Sequence, residues 1–265
     1  MNVVVCVKQV PDTSDPDVEV HIDSSGKGVD ESKFSFVIND ADNYAVEEAI
    51  LLKEKHEGEV TVVNIGPEAA NQVVRMALAK GGDQAIRLDD ERFAFSDITA
   101  TARLLASAIG DLEFDIVMTG CIASDDGYSA VGVTLAQMLD LPHAAMVKSV
   151  EVIGDNKLKV GRELEGGLLE MLEIETPCVL TIQTGINEPR YASFKGIRAA
   201  SKKEIKVMDL EATGLSEDQV GEAGSTAVMV EYSVPVVGEL AEILEGDAAE
   251  TSVKLSGILK EKGLV

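Results

Sequence analysis

Residues 60–88 read VTVVNIGPEAANQVVRMALAKGGDQAIRL and contain one complete strand–helix–strand unit. Val60–Ile65 is a run of β-branched and apolar residues, which is typical of a strand buried on both faces. A Gly-Pro pair then introduces a helix over Ala70–Lys80, since proline fits the first turn of a helix, and a Gly-Gly pair ends it. A second apolar run, Ala85–Leu88, follows. Two short strands joined through a helix predict parallel pairing.

The same alternation of strand and helix extends over the first half of the chain. It predicts an α/β fold with a mainly parallel, doubly wound sheet and helices on both of its faces. Such sheets bind ligands beyond the carboxyl ends of their strands, where the strand order switches. The further strands predicted are Asn2–Lys8 and Asp115–Thr119, and the further helices are Tyr44–Lys55, Ser96–Ile109 and Ser129–Leu139.

The second half of the chain is richer in strands. Val147–Val152 and Lys157–Arg162 flank Gly-Asp-Asn and predict an antiparallel extension of the sheet. Two further β-like runs, Leu168–Ile174 and Cys178–Thr184, follow. Smaller β elements are predicted at Val18–Asp23 with Phe34–Asn39, around a Gly26–Gly28 turn, and at Val228–Val237. A final helix is predicted over Ala248–Lys262.

These patterns predict two regions. Residues 1–200 form an α/β nucleotide-binding domain, and residues 201–265 form a C-terminal arm. The arm either docks on another subunit or packs on its own domain.

Charge and composition narrow the class of partner. The chain has 265 residues and a formal net charge of −24, so the phosphates of nucleic acid would be repelled. No apolar run reaches the ~18 residues of a membrane span, and Met1 leads directly into Val3–Val7, so we expect no leader and no membrane insertion. Three distant cysteines make a disulfide framework improbable and favour a cytoplasmic location.

The loop Gly120–Gly132, which reads GCIASDDGYSAVG, is the first candidate for a binding site. It follows a buried strand and opens a helix with small residues, so free backbone N–H groups and the helix dipole would attract a phosphate. Its two aspartates oppose an anion unless one binds a ribose hydroxyl or caps the helix. The chain has neither a G-x-G-x-x-G nor a P-loop motif, so an ordinary connection between strand and helix remains the alternative.

Residues typical of catalysis are scattered. His21, His56 and His143 lack the spacing of metal ligands, so we expect no metal site. Cys6 is expected to pack in a strand, and Cys121 has no histidine near it in the sequence to activate it. Glu163 and Glu165, two apart on a presumed strand, would share a face either as an acid–base pair or as an exposed charged surface.

A basic segment that contains two aromatic residues stands out in this acidic chain. Between Asn187 and Lys206 there are six Lys or Arg against two Asp or Glu, so the segment carries about +4 and the rest about −28. Tyr191 and Phe194 lie within it.

Several motifs together resemble the beta subunit of electron transfer flavoproteins. RELEGGLLE, then PCVLTI, then INEPRYASFKGI match the signature of that family over residues 162–197. VCVKQV, NDADNYAVEEA, IGPE and ALAKGGD extend the resemblance over nearly the whole chain.

The resemblance implies an αβ heterodimer whose FAD is shared and bound mainly by the alpha subunit. The flavin of this family accepts electrons from a flavoprotein dehydrogenase of the acyl-CoA or N-methyl amine type, as in fatty acid oxidation, and passes them to a quinone oxidoreductase or similar acceptor. The beta subunit is then an electron carrier subunit rather than an enzyme, with an adenine-nucleotide-hydrolase-like fold that holds AMP. Carried over by position, the AMP site comprises Cys6, Asn39, Asp40, Ala41, Asp42, Ile65, Gly66, Gly120, Asp125, Asp126, Gly127, Tyr128, Ser129, Ala130 and Val131.

The resemblance also implies a partner-recognition loop over about residues 182–204. Its apolar anchor falls on Phe194, where leucine is common in the family, and the surrounding Lys and Arg would steer an acidic partner surface. Glu163 matches a family glutamate near the subunit interface. The partner-recognition residues are Glu163, Asn187, Pro189, Arg190, Tyr191, Phe194 and Lys195.

Two alternatives remain open at this stage. Electron-bifurcating members of the family bind a second FAD in place of AMP and oxidise NADH. They tend to read DGDTAQVG where this chain reads DDGYSAVG, although VCVKQVPDT resembles that group. The second alternative is a stand-alone nucleotide hydrolase or ligase, which would require turnover of ATP by this chain alone.

Overall fold

The computed structural model describes residues 1–14, 19–235, 238 and 241–265. In this part of the chain the strands are β1 (Val3–Cys6), β2 (Gln9–Pro11), β3 (Phe36–Ile38), β4 (Val60–Ile65), β5 (Gln84–Leu88), β6 (Ile116–Gly120), β7 (His143–Gly154), β8 (Lys157–Glu163), β9 (Leu169–Glu175), β10 (Cys178–Ile182) and β11 (Lys206–Met208). The α-helices are α1 (Asp40–His56), α2 (Asn71–Lys80), α3 (Ile98–Ile109), α4 (Val131–Met138), α5 (Phe194–Ala200), α6 (Leu210–Thr213) and α7 (Ala248–Glu261).

One nine-stranded sheet organises the fold, in the order β11-β5-β4-β1-β6-β10-β7-β8-β9. Every pair from β11 to β7 is parallel, and β8 and β9 continue the sheet antiparallel. The prediction of a mainly parallel sheet with an antiparallel extension is therefore confirmed. Strands β4 and β5 lie on one side of β1, and β6, which comes later in the chain, lies on its other side. The strand order therefore switches at β1.

Strand β1 shows why helices cover both faces. Successive side chains of a strand point to opposite sides. Val3 and Val5 pack in one apolar layer with Ile50 of α1 and residues of α2. Val4 and Cys6 pack in the other layer, with residues of α3 and α4. All four strand residues are buried, which explains why the run is apolar without alternation.

Helix α1 lies directly behind the switch point and is well specified by sequence. It starts after Asn39, carries Asp40 and Asp42 in its first turn, and ends with Lys53, Lys55 and His56. Acidic residues at the amino end and basic residues at the carboxyl end both favour the helix dipole. This arrangement fixes the amino end of α1 at the carboxyl edge of the sheet.

Several local predictions need correction. Helix α3 is capped by Asp97 and not by Ser96, because the Asp97 side chain accepts from the Ala100 N–H. Helix α4 starts at Val131 and not at Ser129, whose φ of 54° lies outside the helical region. Strand β8 ends at Glu163 and Glu165 begins a 3₁₀ turn, so these glutamates do not form a pair along one strand.

The predicted hairpin is also different. Phe36–Ile38 pairs antiparallel with Gln9–Pro11 in a separate small sheet. Around the Gly26–Gly28 turn, Ile22 and Val29 form a single bridge, while Val18 lies outside the described residues. Of the predicted strand Val228–Val237, residues 228–235 are described and form no strand.

The C-terminal region begins within the main fold. Strand β11 extends the parallel sheet next to β5, and Leu210 and Val220 are buried. Farther on, α7 has no buried residue. The division into residues 1–200 and 201–265, with the second as a docking arm, stays a prediction. None of the helices in the described residues is both long enough and apolar enough to cross a membrane.

Candidate functional site

A cavity of about 330 Å³ opens at the carboxyl edge of the sheet, at the switch in strand order. The ends of β1, β4 and β6 form its floor, and the amino ends of α3 and α4 form its walls. The lining consists of Cys6, Val7, Lys8, Asn39, Asp42, Val63, Ile65, Phe93, Phe95, Ser96, Asp97, Ile98, Thr101, Leu105, Thr119, Gly120, Cys121, Ile122, Ala123, Asp126, Tyr128, Ser129, Ala130 and Val131.

The amino end of α4 is the strongest anion-binding feature of this cavity. Its N-cap position holds Ala130, and no side chain of the described residues caps it. The first N–H groups of a helix have no partner within the helix, and an anion placed there also benefits from the helix dipole. Gly132 allows α4 to approach the sheet, since a β-carbon there would overlap Thr119 and Thr181. The turn therefore presents open donors to a ligand in the cavity.

Asn39 and Asp42 hold the loops of the floor together. The Asp42 carboxylate accepts from the N–H of Lys8 at 2.7 Å and from the N–H of Gly120 at 2.8 Å. The Asn39 amide donates to the carbonyl of Ile122 at 2.8 Å and accepts from a backbone N–H of the same loop. Burial raises the pKa of Asp42 to about 6, although both backbone hydrogen bonds act in the opposite direction. These two side chains join β1, α1 and β6 at one point.

Lys8 explains how an anion site tolerates two neighbouring aspartates. Its ammonium lies 2.7 Å from a carboxylate oxygen of Asp125 and 2.7 Å from one of Asp126. Burial disfavours the charged form of Lys8, but the hydrogen bonds and charges of the two carboxylates outweigh it and raise the pKa of the lysine. The aspartates are thus partly neutralised and tied to the end of β1.

The wall next to α3 was not anticipated from the sequence. Phe93 and Phe95 line the cavity there. Asp97 caps α3 and also accepts from the N–H groups of Thr226 and Ala227, at 2.7 and 3.0 Å. Burial acts to raise the pKa of Asp97, and these hydrogen bonds lower it to about 2. The sequence offered one indication of this wall: its loop comes directly after the carboxyl end of β5, at the edge of the sheet where ligands bind.

The structure brings most of the predicted nucleotide-site residues to this cavity. Those that line it are Cys6, Asn39, Asp42, Ile65, Gly120, Asp126, Tyr128, Ser129, Ala130 and Val131, and those that lie outside the lining are Asp40, Ala41, Gly66, Asp125 and Gly127. Asp40 is exposed and Ala41 is buried beneath Gly120. Their assignment to a nucleotide stays a prediction.

The cysteines are placed as packing residues. Burial raises the pKa of Cys6 and of Cys121, and it raises the pKa of Cys178 to about 12. A protonated, buried thiol is a poor nucleophile. Their environment therefore gives no support to thiol chemistry at the cavity.

The predicted partner-recognition residues lie on other surfaces. Glu163 lies at the end of β8, 3.8 Å from the ammonium of Lys148. Residues 187–200, called here the aromatic segment, run across α1 and into α5. Tyr191 and Phe194 are 98% and 94% exposed, and Lys195 is exposed beside them while Pro189 is half-buried.

The aromatic segment differs from prediction in two respects. Phe194 is not on an irregular loop but is the first residue of α5, which Ser193 caps. Arg190 is not free to steer a partner, because its guanidinium pairs with Glu47 and Glu54 of α1. Both facts make the segment ordered.

Comparison with known proteins gives consistent results. Residues 27–213 match the family model described as electron transfer flavoprotein domain. The chain is 38% identical over 264 residues to the electron transfer flavoprotein subunit beta of Methylophilus methylotrophus, with 98% of each chain covered. It is 39% identical over 266 residues to the protein of the same name from Thermoanaerobacterium thermosaccharolyticum, with both chains fully covered. It is also 35% identical over 268 residues to the caffeyl-CoA reductase-Etf complex subunit CarD of Acetobacterium woodii, again with both covered in full.

Proposed function

We propose, from the premise that this chain belongs to the electron transfer flavoprotein family as a beta subunit, that it carries AMP in the cavity and completes the site of one FAD bound mainly by an alpha subunit. Membership of the family means a role in electron transfer together with an alpha subunit. The ligand of the cavity, the donor and the acceptor belong to the proposal.

The observation that carries the AMP proposal is the cavity itself. Its volume of about 330 Å³ lies at the low end of small-molecule sites, and a dinucleotide such as FAD is more than twice as large as AMP. The open amino terminus of α4 is suited to a phosphate group. Phe93 and Phe95 offer apolar surface for a base on the opposite wall.

The charge of the lining also favours a ligand with a small anionic group. Lys8 is opposed there by Asp42, Asp97 and Asp126, so a ligand with more phosphates would meet more repulsion. Carboxylates at the rim suit ribose hydroxyls, which donate hydrogen bonds. In this arrangement the protein would hold the nucleotide by backbone donors and leave it unreacted.

The proposed donor is a flavoprotein dehydrogenase of the acyl-CoA or N-methyl amine type, and the proposed acceptor is a quinone oxidoreductase or a similar protein. Tyr191 and Phe194 are aromatic rings that are almost fully exposed, which is typical of a docking anchor. On this proposal the chain is a carrier subunit that brings the shared flavin close to its donor, and it catalyses no bond change by itself.

The nucleotide content of the purified heterodimer tests the proposal. Denaturation should release one FAD and one AMP per heterodimer, quantified by chromatography and absorbance. Two FAD and no AMP would refute the AMP assignment.

A second candidate is an electron-bifurcating subunit with its own FAD. The motif VCVKQVPDT near the amino terminus and the 35% identity to a subunit of a caffeyl-CoA reductase-Etf complex favour it. The discriminating assay is oxidation of NADH by the purified complex, monitored at its absorbance maximum. Oxidation of NADH together with two FAD per heterodimer supports this candidate. On the AMP proposal, the purified complex should not oxidise NADH.

A further inference from the structure

The aromatic segment is fixed at both of its ends, while its two large rings lie in water. At its beginning it contacts α1, and at its end it contacts α2. Tyr191 and Phe194 lie between these anchored ends with 98% and 94% of their surfaces exposed. Exposed rings gain nothing from packing, so the fold must hold their backbone by other contacts.

Arg190 makes the strongest of these contacts. Its Nε lies 3.0 Å from both carboxylate oxygens of Glu47, and its backbone N–H donates to the same carboxylate at 3.0 Å. Its two terminal nitrogens donate to the two oxygens of Glu54 at 2.6 and 3.0 Å. The planar guanidinium thus bridges two carboxylates that lie about two α-helical turns apart on α1, which the point charge of a lysine cannot do.

Burial makes this arrangement stronger than an ordinary surface ion pair. The Glu47 side chain is only 4% exposed, whereas Glu54 is 53% exposed. A buried carboxylate without its partner is strongly unfavourable. Hydrogen bonds to Glu54 and Glu47 in turn raise the pKa of Arg190, so its guanidinium stays charged.

Asn187 adds a second contact three residues earlier. Its amide donates to Glu48 at 3.0 Å and to the carbonyl of Tyr44 at 3.2 Å. The contacts of Asn187 and Arg190 with Glu47, Glu48 and Glu54 are called here the tether. Because all three glutamates belong to α1, the tether joins the segment to one rigid element.

The far end of the segment is held by α2. Gly196 lies so close to the carbonyl of Ala79 that a β-carbon would overlap it. Arg75 of α2 donates to the carbonyl of Ala200 at 2.7 Å, which is at the end of α5. Loss of the tether would therefore release the start of the segment, with Tyr191 and the backbone that leads into Phe194, while α5 from Gly196 onward stays attached to α2.

We propose that Arg190 is a positioning residue for docking of the electron donor: the tether holds Tyr191 and Phe194 in the arrangement that the donor binds. This inference rests on the proposed function, in which these rings are the docking anchor. A tethered anchor does not lose conformational freedom when it binds, so the tether strengthens docking without contacting the donor.

The test uses the purified flavin-loaded heterodimer and three variants. Arg190→Gln combined with Glu47→Gln removes the ion pairs of the tether without leaving a buried charge unpaired, and it keeps the contacts of Asn187. Arg190→Lys keeps the charge but cannot bridge both carboxylates. Arg198→Gln is the matched control, because it removes one positive charge from the same segment on the exposed surface of α5, outside the tether.

Hydrogen–deuterium exchange followed by mass spectrometry is the first measurement. The amides of residue 188 and of residues 190–195 should exchange about tenfold faster or more in the double variant. The increase should be smaller in Arg190→Lys, and Arg198→Gln should exchange at the wild-type rate. Unchanged exchange in the double variant would overturn the proposal, whatever the donor does.

Steady-state kinetics is the second measurement. The donor is a purified acyl-CoA or N-methyl amine dehydrogenase, chosen as the one that reduces the wild-type flavin. If the docking arrangement falls to about a tenth of the population, the KM for the donor rises about tenfold while kcat stays within twofold. Flavin content and flavin potential should not change.

Phe194→Ala separates failure of this inference from failure of the proposed function. One outcome is that Phe194→Ala raises the KM for the donor, whereas the double variant exchanges faster but keeps the wild-type KM. In that case the rings dock without the tether, and the positioning role of Arg190 is refuted. A wild-type KM in Phe194→Ala refutes docking through the rings themselves. Faster exchange in the double variant would then identify the tether as a purely structural contact.

Discussion

Replacing Phe194 by alanine should weaken docking of the electron donor without affecting the fold. The ring is 94% exposed, and as the first residue of α5 it contributes no core contact. Ser193 caps the helix through its own side chain, which accepts from the N–H of Gly196 at 3.0 Å, so the cap is retained. The free energy of unfolding should therefore change by less than about 0.5 kcal/mol.

The expected loss of affinity follows from this exposure. A phenylalanine that becomes buried at an interface removes ~150–250 Å² from water, or about 4–6 kcal/mol at ~25 cal/mol per Å². Alanine retains part of that area, and docking orders side chains of the partner at a cost. We therefore expect a loss of about 2 kcal/mol, the size of an interface hot spot, which corresponds to a roughly 30-fold higher KM for the donor.

The assay is reduction of the heterodimer flavin by the donor dehydrogenase, with donor concentration varied. Phe194→Leu is the matched control, because leucine keeps an apolar anchor of similar length and should leave the KM within about threefold of wild type. The flavin spectrum and the FAD content should be the same in all three proteins. Equal KM values for the alanine variant and wild type would refute the role of Phe194 as the anchor.

Three further predictions concern the cavity. Lys8→Met leaves the carboxylates of Asp125 and Asp126 without their cation at an anion site. The affinity for AMP, measured by calorimetry on nucleotide-free heterodimer, should therefore fall about tenfold. Unchanged affinity would show that these two carboxylates do not face the ligand. Asp97→Ala removes the cap of α3 and the acceptor for Thr226 and Ala227, which should lower the free energy of unfolding by about 1–2 kcal/mol and speed hydrogen exchange at these two residues. Slow exchange there would contradict the anchoring role of Asp97. The pKa of Asp42 is raised by burial to about 6, above its value of ~3.9 in an unfolded chain, so its favourable contribution is complete below about pH 4 and is lost as pH rises through 6. The free energy of unfolding, measured with denaturant, should depend differently on pH between pH 4 and 6 in wild type and in Asp42→Asn. If the two plots of free energy against pH run parallel, the raised pKa of Asp42 is refuted.

Much of the fold could be predicted because its signals are local. The apolar run that becomes β1 is buried on both faces, and a strand of that kind belongs to a parallel sheet covered on both sides. Hairpin β7–β8 was predicted from its turn residues, Gly-Asp-Asn. Helix ends were predicted less well, since one residue such as Asp97 or Ser96 can serve as a cap, and only tertiary contacts select between them.

The candidate site was predictable in outline only. The loops after parallel strands meet at one edge of the sheet, so Cys6 and Gly120 could be placed together without a structure. Asn39 follows β3 of the small antiparallel sheet, and its place beside them came from the family resemblance. The wall with Phe93 and Phe95 could not, because the distance of a loop from the switch point depends on the order of the strands. The pairing of Lys8 with Asp125 and Asp126 spans more than a hundred residues and has no signature in the local sequence.

The sequence by itself determined the α/β class, the strand–helix alternation, the family and the basic aromatic segment, since each follows from short-range periodicity or from motifs. Only the tertiary structure decided what Arg190 does. From sequence it belongs to a positive segment that would steer a partner, yet in the fold its charge is satisfied by Glu47 and Glu54. The physical reason is that a charge acts on what lies within a few ångströms of it, and the neighbours of Arg190 come from a helix more than 130 residues earlier.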